Sequence, residues 1–238
     1  MNFIHMKIHT YLKDLLSLLY PPLCSACHGE LPQGVEHICT KCRYDLPKTR
    51  NHILQIPSIE EKFQNIIELE AIFVYCFFEK NSITQRLLHS IKYDENKSLA
   101  QLLGSWYAVD LKEDLAIDKF DYIIPVPLHT KKLKKRGFNQ SEQIAQGVSQ
   151  VLNIPVFDAL LERRLDDHSL TEMTKTKRIK SLQQVYGINE EHLDNFFGRH
   201  LLIIDDVMTT GSTIISCYEA LSHIPDVKLS ALVLAAAK

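Results

Sequence analysis

His200-Leu201-Leu202-Ile203-Ile204-Asp205-Asp206-Val207-Met208-Thr209-Thr210-Gly211-Ser212-Thr213-Ile214-Ile215 is the stretch whose reading decides the fold. Four apolar residues, Leu201–Ile204, predict a strand buried on both faces, as in the parallel sheets of α/β proteins. Two adjacent carboxylates and a turn of small residues, Thr209–Thr213, come next. Ile214, Tyr218 and Leu221 then recur at helical spacing. Strand, tight turn and helix N-terminus is the arrangement that binds phosphate, because unpaired backbone N–H groups and the positive end of the helix dipole converge on the anion. Gly211 permits positive φ or close backbone approach, and the Thr and Ser hydroxyls add donors. Carboxylates at the carboxyl end of a strand lie where open α/β sheets bind ligands, and they suit the vicinal hydroxyls of a ribose. The chain reads as built to hold a ribose phosphate. The competing reading, an ordinary strand–loop–helix with a solvated acidic corner, needs apolar run, acidic pair and loop to coincide by chance.

Working outward, strand and helix patterns alternate. Ala71–Phe78 is a β-branched and aromatic run, and Phe120–Pro127 is a strand that must stop at its prolines. Pro155-Val156-Phe157 is expected to start a further strand, and Val227–Leu234 forms the last. Helical spacing marks Ile83–Ile91, Leu99–Trp106 and Ile144–Leu152 between them. This predicts a mostly parallel sheet flanked by helices.

Composition is that of an ordinary soluble domain: 238 residues, 45% hydrophobic and 24% charged. With 27 basic and 29 acidic residues the net charge is −2, so no global basic field argues for nucleic acid. The apolar run Leu15–Tyr20 is too short for a signal-peptide core. Tyr11, Leu12, Leu15, Leu16 and Leu19 instead share one face of a short helix ended by Pro21-Pro22. No stretch approaches the ~20 apolar residues of a membrane span, and a cytoplasmic location is expected.

Four of the six cysteines fall in two CxxC pairs, Cys24/Cys27 and Cys39/Cys42. Four thiolates at that spacing fit a tetrahedral Zn²⁺ site of structural type, closed and therefore not catalytic. A disulfide framework and a redox CxxC compete, but the first needs an oxidising compartment and the second a βαβ context. His28 and His37 lie beside ligands as spare donors, while Cys76 and Cys217 are expected to be buried. The organisation predicted is an N-terminal helix and zinc ribbon over 1–48, a turn-rich linker over 49–66, and the α/β domain over 67–238.

Two basic segments bear on chemistry. Residues 131–136 hold five cations, at the end of a strand, and Arg136-Gly137-Phe138-Asn139-Gln140 follows, with Asn139 placed to cap the next helix. Together these cations form an anion trap; read singly, Lys131, Lys132 and Lys134 are a solvated basic turn. The second segment, Arg163 to about Gln184, has no apolar periodicity and is either a lid or a passive loop.

The Leu201–Thr213 stretch resembles the phosphoribosyl-pyrophosphate (PRPP) motif of type I phosphoribosyltransferases. The whole chain is similar to the ComF family, also called GntX-like. The features that match are Pro21-Pro22 before the paired CxxC ribbon, Leu88–Tyr93 (LHSIKY), the Ile124–Gln140 block and Asp205–Gly211. The resemblance implies that Asp205 and Asp206 contact the ribose hydroxyls. It implies PRPP binding by Asp205, Asp206, Val207, Met208, Thr209, Thr210, Gly211, Ser212 and Thr213, with Mg²⁺ alongside. Arg136 and Lys92 would face the pyrophosphate, and Asp205, Asp206 and Arg136 would carry catalysis. The family further implies a link to competence and DNA utilisation, with single-stranded DNA and competence proteins as partners. The opposed reading is a non-catalytic PRPP sensor, or a module that binds single strands or proteins.

Overall fold

The computed structural model describes residues 21–114, 120–164 and 185–237. The expected N-terminal helix, and all but the first two residues of the segment read as a lid, lie outside the described residues. In chain order the elements are α1 (Thr40–Tyr44), α2 (Pro57–Glu60), β1 (Ala71–Phe78), α3 (Ile83–Tyr93), α4 (Lys97–Asp114), β2 (Tyr122–Pro125), α5 (Thr130–Arg136), α6 (Gln140–Leu152), β3 (Leu161–Arg163), β4 (Tyr186–Ile188), β5 (His200–Met208), α7 (Ser212–Leu221) and β6 (Lys228–Ala237). A 3-10 turn over Glu190–Phe196 links β4 to β5.

Four strands form one sheet in the order β1-β6-β5-β2, and all its pairings are parallel. The apolar runs are explained by burial on both faces. Leu202, Ile204, Leu232 and Leu234 pack with α3, α4 and α6, whereas Leu201, Ile203, Ala231 and Val233 pack with α7 and with Ile59 and Phe63. The short β3–β4 hairpin is antiparallel and separate from the sheet.

Strand lengths position the site. β2 stays in register with β5 only from Tyr122↔Leu201 to Pro125↔Ile204, with one more bond from Val126 N–H to Ile204 O at 2.9 Å. Pro127 then prevents continuation, because it has no N–H. On its other side β5 continues along β6 through Asp205↔Val233, Val207↔Ala235 and Met208↔Ala236. The strand expected to end at Ile204 therefore runs to Met208, and the acidic pair lies within it rather than after it. Its last four residues have lost β2 as a neighbour, which opens a crevice beside the carboxylates. β2 leads away towards one edge and β5 towards the other, so this crevice is the topological switch point of the sheet.

Helices α4 and α6, on the first face, touch almost backbone to backbone. A Cβ on Gly104 would sit 2.4 Å from Ile144 O, and one on Gly147 would sit 2.0 Å from Gln101 O. Only glycine fits at either crossing point. Ser105 Oγ donates to Gly147 O at 3.1 Å, and Gln101 pairs with Gln143 at 2.8 Å. This crossing fixes α6, whose N-terminus faces the end of β5.

Two expectations are corrected. The strand expected from Pro155 is a single parallel bridge, Ile123↔Val156, flanked by Ile123 N–H to Pro155 O and Phe157 N–H to Ile123 O, both 2.9 Å. The basic stretch expected as a turn is helix α5. His129 caps its start through Lys131 N–H at 3.1 Å, and Gly137, at φ 73°, ends it by donating to Leu133 O. With Leu133 its only apolar side chain, α5 has no periodicity to read.

Residues 47–51 lie along the outer edge of β1. Lys48 bridges Cys76, Thr49 N–H donates to Tyr75 O, and the Asn51 side chain bonds Ile72 O and Val74 N–H at 2.6 and 2.7 Å. An edge strand that would otherwise offer unpaired backbone groups is thereby covered. The cysteine-bearing segment shares the main core: Cys24, Ala26, Leu31, Ile38, Cys42 and Leu46 cluster with residues of α3 and α4. Arg86 Nε donates to Ala26 O, and Arg43 lies over Trp106 at 4.3 Å. No helix among the described residues is long and apolar enough to cross a membrane.

Candidate functional site

The crevice at the end of β5 gathers side chains from four elements. Asp205 Oδ1 accepts from Ser141 Oγ at 3.0 Å and from the backbone N–H of Asp206 at 2.9 Å. Ser141 reaches it because Asn139 caps α6: Asn139 Oδ1 accepts from Ser141 N–H at 3.2 Å, and Asn139 Nδ2 donates to Val126 O at 3.0 Å. The RGFNQ block is thus tied to the end of β2. Asp206 turns towards α3 instead, where Lys92 Nζ meets its Oδ2 at 2.8 Å.

Arg136 is the last residue of α5. Its Nη1 donates to Gln140 Oε1 at 2.9 Å, and its Cζ sits 5.9 Å from the centre of the Tyr93 ring. The structure therefore joins Lys92 to Asp206, and sets Arg136 against Gln140 and Tyr93, the chain neighbours of Ser141 and Lys92. The sequence did not reveal Ser141, Gln140 and Tyr93. Ser141 and Gln140 sit immediately after a recognisable cap and Tyr93 beside Lys92, so proximity to Asn139 and Lys92 was the available signal.

Below the acidic pair, Thr209 and Thr210 are exposed, and Gly211 is buried at φ 82°. A side chain there would be strained by that φ, and its Cβ would come 3.0 Å from the Phe63 ring. Thr210 Oγ1 bonds Ser212 Oγ at 3.2 Å and accepts from Ser212 N–H at 3.4 Å. Helix α7 begins at Ser212 with no side-chain cap from its N-cap residue, Gly211. Its first turn can therefore donate amides to an anion in the crevice. Val207 is half-buried and Met208 is buried against the second face.

Electrostatics favour an incoming partner. Burial and the neighbouring charge of Asp206 push the Asp205 carboxyl up to about 7, against the Asp206 N–H, Ser141 and Lys92, which act the other way. Two adjacent carboxylates with little water are costly together, and donors from a polyol would relieve them. Cys217, buried in α7, has its thiol pushed up by burial and by Asp205.

The four cysteines form a second centre. The sulfurs of Cys24, Cys27, Cys39 and Cys42 lie within 4.8 Å of one another, and Cys27 Sγ is 3.8 Å from Cys39 Sγ. A tetrahedron with metal–sulfur bonds of about 2.3 Å has edges of ~3.8 Å, so the donor set could hold a metal ion. Backbone N–H groups of Cys39 and Cys42 donate to Cys24 Sγ and Cys39 Sγ at 3.3 and 3.4 Å. Burial disfavours thiolate at Cys24, yet N–H donors from Cys39, Cys27 and Ala26 outweigh it and bring the thiol down to about 6. At Cys42 burial and the neighbouring sulfurs push the thiol up. His28 is exposed at φ 60°, and Cys76 is buried in β1 as expected.

Comparison with known proteins agrees with this geometry. Residues 139–233 match the phosphoribosyl transferase domain family, so the chain carries a domain of that class. Its relatives then define it further. It is 26% identical over 224 residues to DNA utilization protein YhgH of Shigella flexneri, covering 83% of this chain and 89% of that protein. It is 26% identical over 219 residues to competence protein F of Haemophilus influenzae, covering 90% of each. It is 21% identical over 193 residues to competence protein ComFC of Bacillus subtilis, covering 81% of this chain and 67% of that protein. The chain is thus similar along most of its length to proteins named for competence and DNA utilisation, with a phosphoribosyl transferase domain preceded by a four-cysteine segment consistent with a zinc ribbon. Lys92, Arg136 and the four clustered cysteines precede the matched residues.

Proposed function

We propose that this ComF-like protein binds PRPP in the crevice at the end of β5 and transfers its phosphoribosyl group, in the service of competence, DNA uptake or DNA utilisation. The observation that carries this reading is the reach of β5 past β2, which leaves Asp205 and Asp206 facing a crevice directly above the Thr209–Thr213 turn. The relatives' names and the phosphoribosyl transferase match support the wider role.

In this reading the ribose 2- and 3-hydroxyls donate to Asp205 and Asp206, and amides from Thr209 to Thr213 hold the 5-phosphate. Lys92 and Arg136 face the pyrophosphate. An acceptor attacks C1 of the ribose while the bond from C1 to pyrophosphate oxygen breaks, and the electron pair departs with pyrophosphate. Fixed cations beside that oxygen stabilise the charge as it develops, so catalysis is positional and electrostatic. Mg²⁺ accompanies PRPP and screens its charge. Cys24, Cys27, Cys39 and Cys42 would hold Zn²⁺, which would tie the two cysteine pairs together where they pack on α3 and α4. The protein acts in the cytoplasm, with single-stranded DNA and competence proteins as partners.

The test incubates the metal-loaded protein with PRPP, Mg²⁺ and a panel of bases and follows pyrophosphate release, with PRPP affinity measured in parallel by calorimetry. Release above the buffer blank that Asp206→Asn abolishes is expected. Affinity without release would leave the sensor reading ahead, and neither affinity nor release would remove both. Salt-dependent retention of single-stranded DNA would support the competence role.

A further inference from the structure

Two pairs of consecutive residues bracket the crevice, and each pair divides its work in the same way. In α6, Ser141 holds Asp205 while Gln140 accepts from Arg136. In α3, Lys92 holds Asp206 while the Tyr93 ring lies under the Arg136 guanidinium. The two acids are thereby coupled, through the backbone of α3 and α6, to the placement of a single cation.

Gln140 is the less ordinary member. The residue is 2% exposed, its Oε1 is on Arg136, and its Nε2 is buried with no hydrogen-bond partner among the described residues. A buried amide donor without a partner is a cost to stability, so packing alone would favour a leucine there. What the amide supplies is a fixed acceptor for one edge of the guanidinium. The Tyr93 ring lies within cation–π range of the guanidinium and draws it to that side. Held at an edge and drawn to one side, Arg136 keeps its remaining N–H donors pointing in one direction.

We propose that Gln140 and Tyr93 are positioning residues that aim Arg136 at the pyrophosphate half of the ligand. The inference rests on the PRPP reading above. It assigns these two residues to recognition of the diphosphate rather than of the ribose or its 5-phosphate. It also makes the Gln140 amide a part of the site that is retained against its cost to folding.

The test is a comparison of ligands on the full chain by calorimetry, with PRPP, ribose 5-phosphate and inorganic pyrophosphate as probes. Gln140→Leu is expected to weaken PRPP and pyrophosphate by about tenfold, the size of one lost charge-assisted hydrogen bond, and to leave ribose 5-phosphate unchanged. The melting temperature of Gln140→Leu should hold or rise, which separates this role from a structural one. Adding Gln140→Leu to Arg136→Ala should weaken PRPP no further, because both changes remove one device. Tyr93 is 58% exposed, so Tyr93→Leu gives a second variant that folds without difficulty; it should weaken PRPP, and Tyr93→Phe should not. Equal losses for PRPP and ribose 5-phosphate, or additive losses in the double variant, would overturn this inference while leaving the PRPP site standing. A wild-type protein that binds neither PRPP nor ribose 5-phosphate would overturn both.

Discussion

Removing the charge of Asp205 should abolish a pH effect on stability. Burial and Asp206 raise this carboxyl from an ordinary 3.8 to about 7, so between those values the folded protein holds a proton that the unfolded chain has released. Stability then falls as pH rises through that window, because the unfolded state binds fewer protons than the folded one. The contribution is complete below about pH 4 and lost once the pH passes about 7. Three pH units would correspond to about 4 kcal/mol if each counted in full; coupling to the titration of Asp206 reduces this to roughly 1–3 kcal/mol. Urea denaturation of wild type and Asp205→Asn at pH 4.5 and pH 8, without ligand, measures it. Asp205→Asn should gain on wild type by that amount at pH 8, with little difference at pH 4.5. An equal difference between the two proteins at both pH values would refute the argument that the acids strain each other in an empty crevice.

Three further outcomes are expected. Lys92→Met removes the 2.8 Å partner of Asp206 and should weaken PRPP binding by about tenfold in calorimetry, while changing stability by no more than about 1 kcal/mol. Gly147→Ala places a methyl 2.0 Å from a backbone oxygen of α4, which cannot move aside as a side chain can; a loss of about 3 kcal/mol or more by denaturation is expected, with Gly104→Ala behaving alike. Stripping metal from the four-cysteine centre should lower the melting temperature of the whole protein rather than release a separate transition, since Cys24, Ala26 and Cys42 share their core with α3 and α4. Two resolved calorimetric transitions would contradict that.

The β5 region was legible because its signals are local. An apolar run, two acids and a glycine turn lie in one continuous stretch, and burial on both faces enforces the run. The end of β5 was not legible, because it depends on where β2 stops and how far β6 continues, neither of which is written in residues 200–208. α5 hid for a different reason: capped at His129 and Gly137, it needs no apolar stripe to form. The cysteine centre was legible from spacing alone. Gln140 and Tyr93 acquire their roles only from the crossing of α4 with α6 and the docking of α3, which glycines at 104 and 147 permit without advertising it.

The measurement that bears most directly on the central claim is a crystal structure of the protein soaked with PRPP and Mg²⁺. The sugar's two hydroxyls should lie against Asp205 and Asp206, its 5-phosphate over the amides of residues 209–213, and its pyrophosphate towards Lys92 and Arg136. PRPP bound at any other surface, or a crevice that stays empty at saturating ligand, would contradict it.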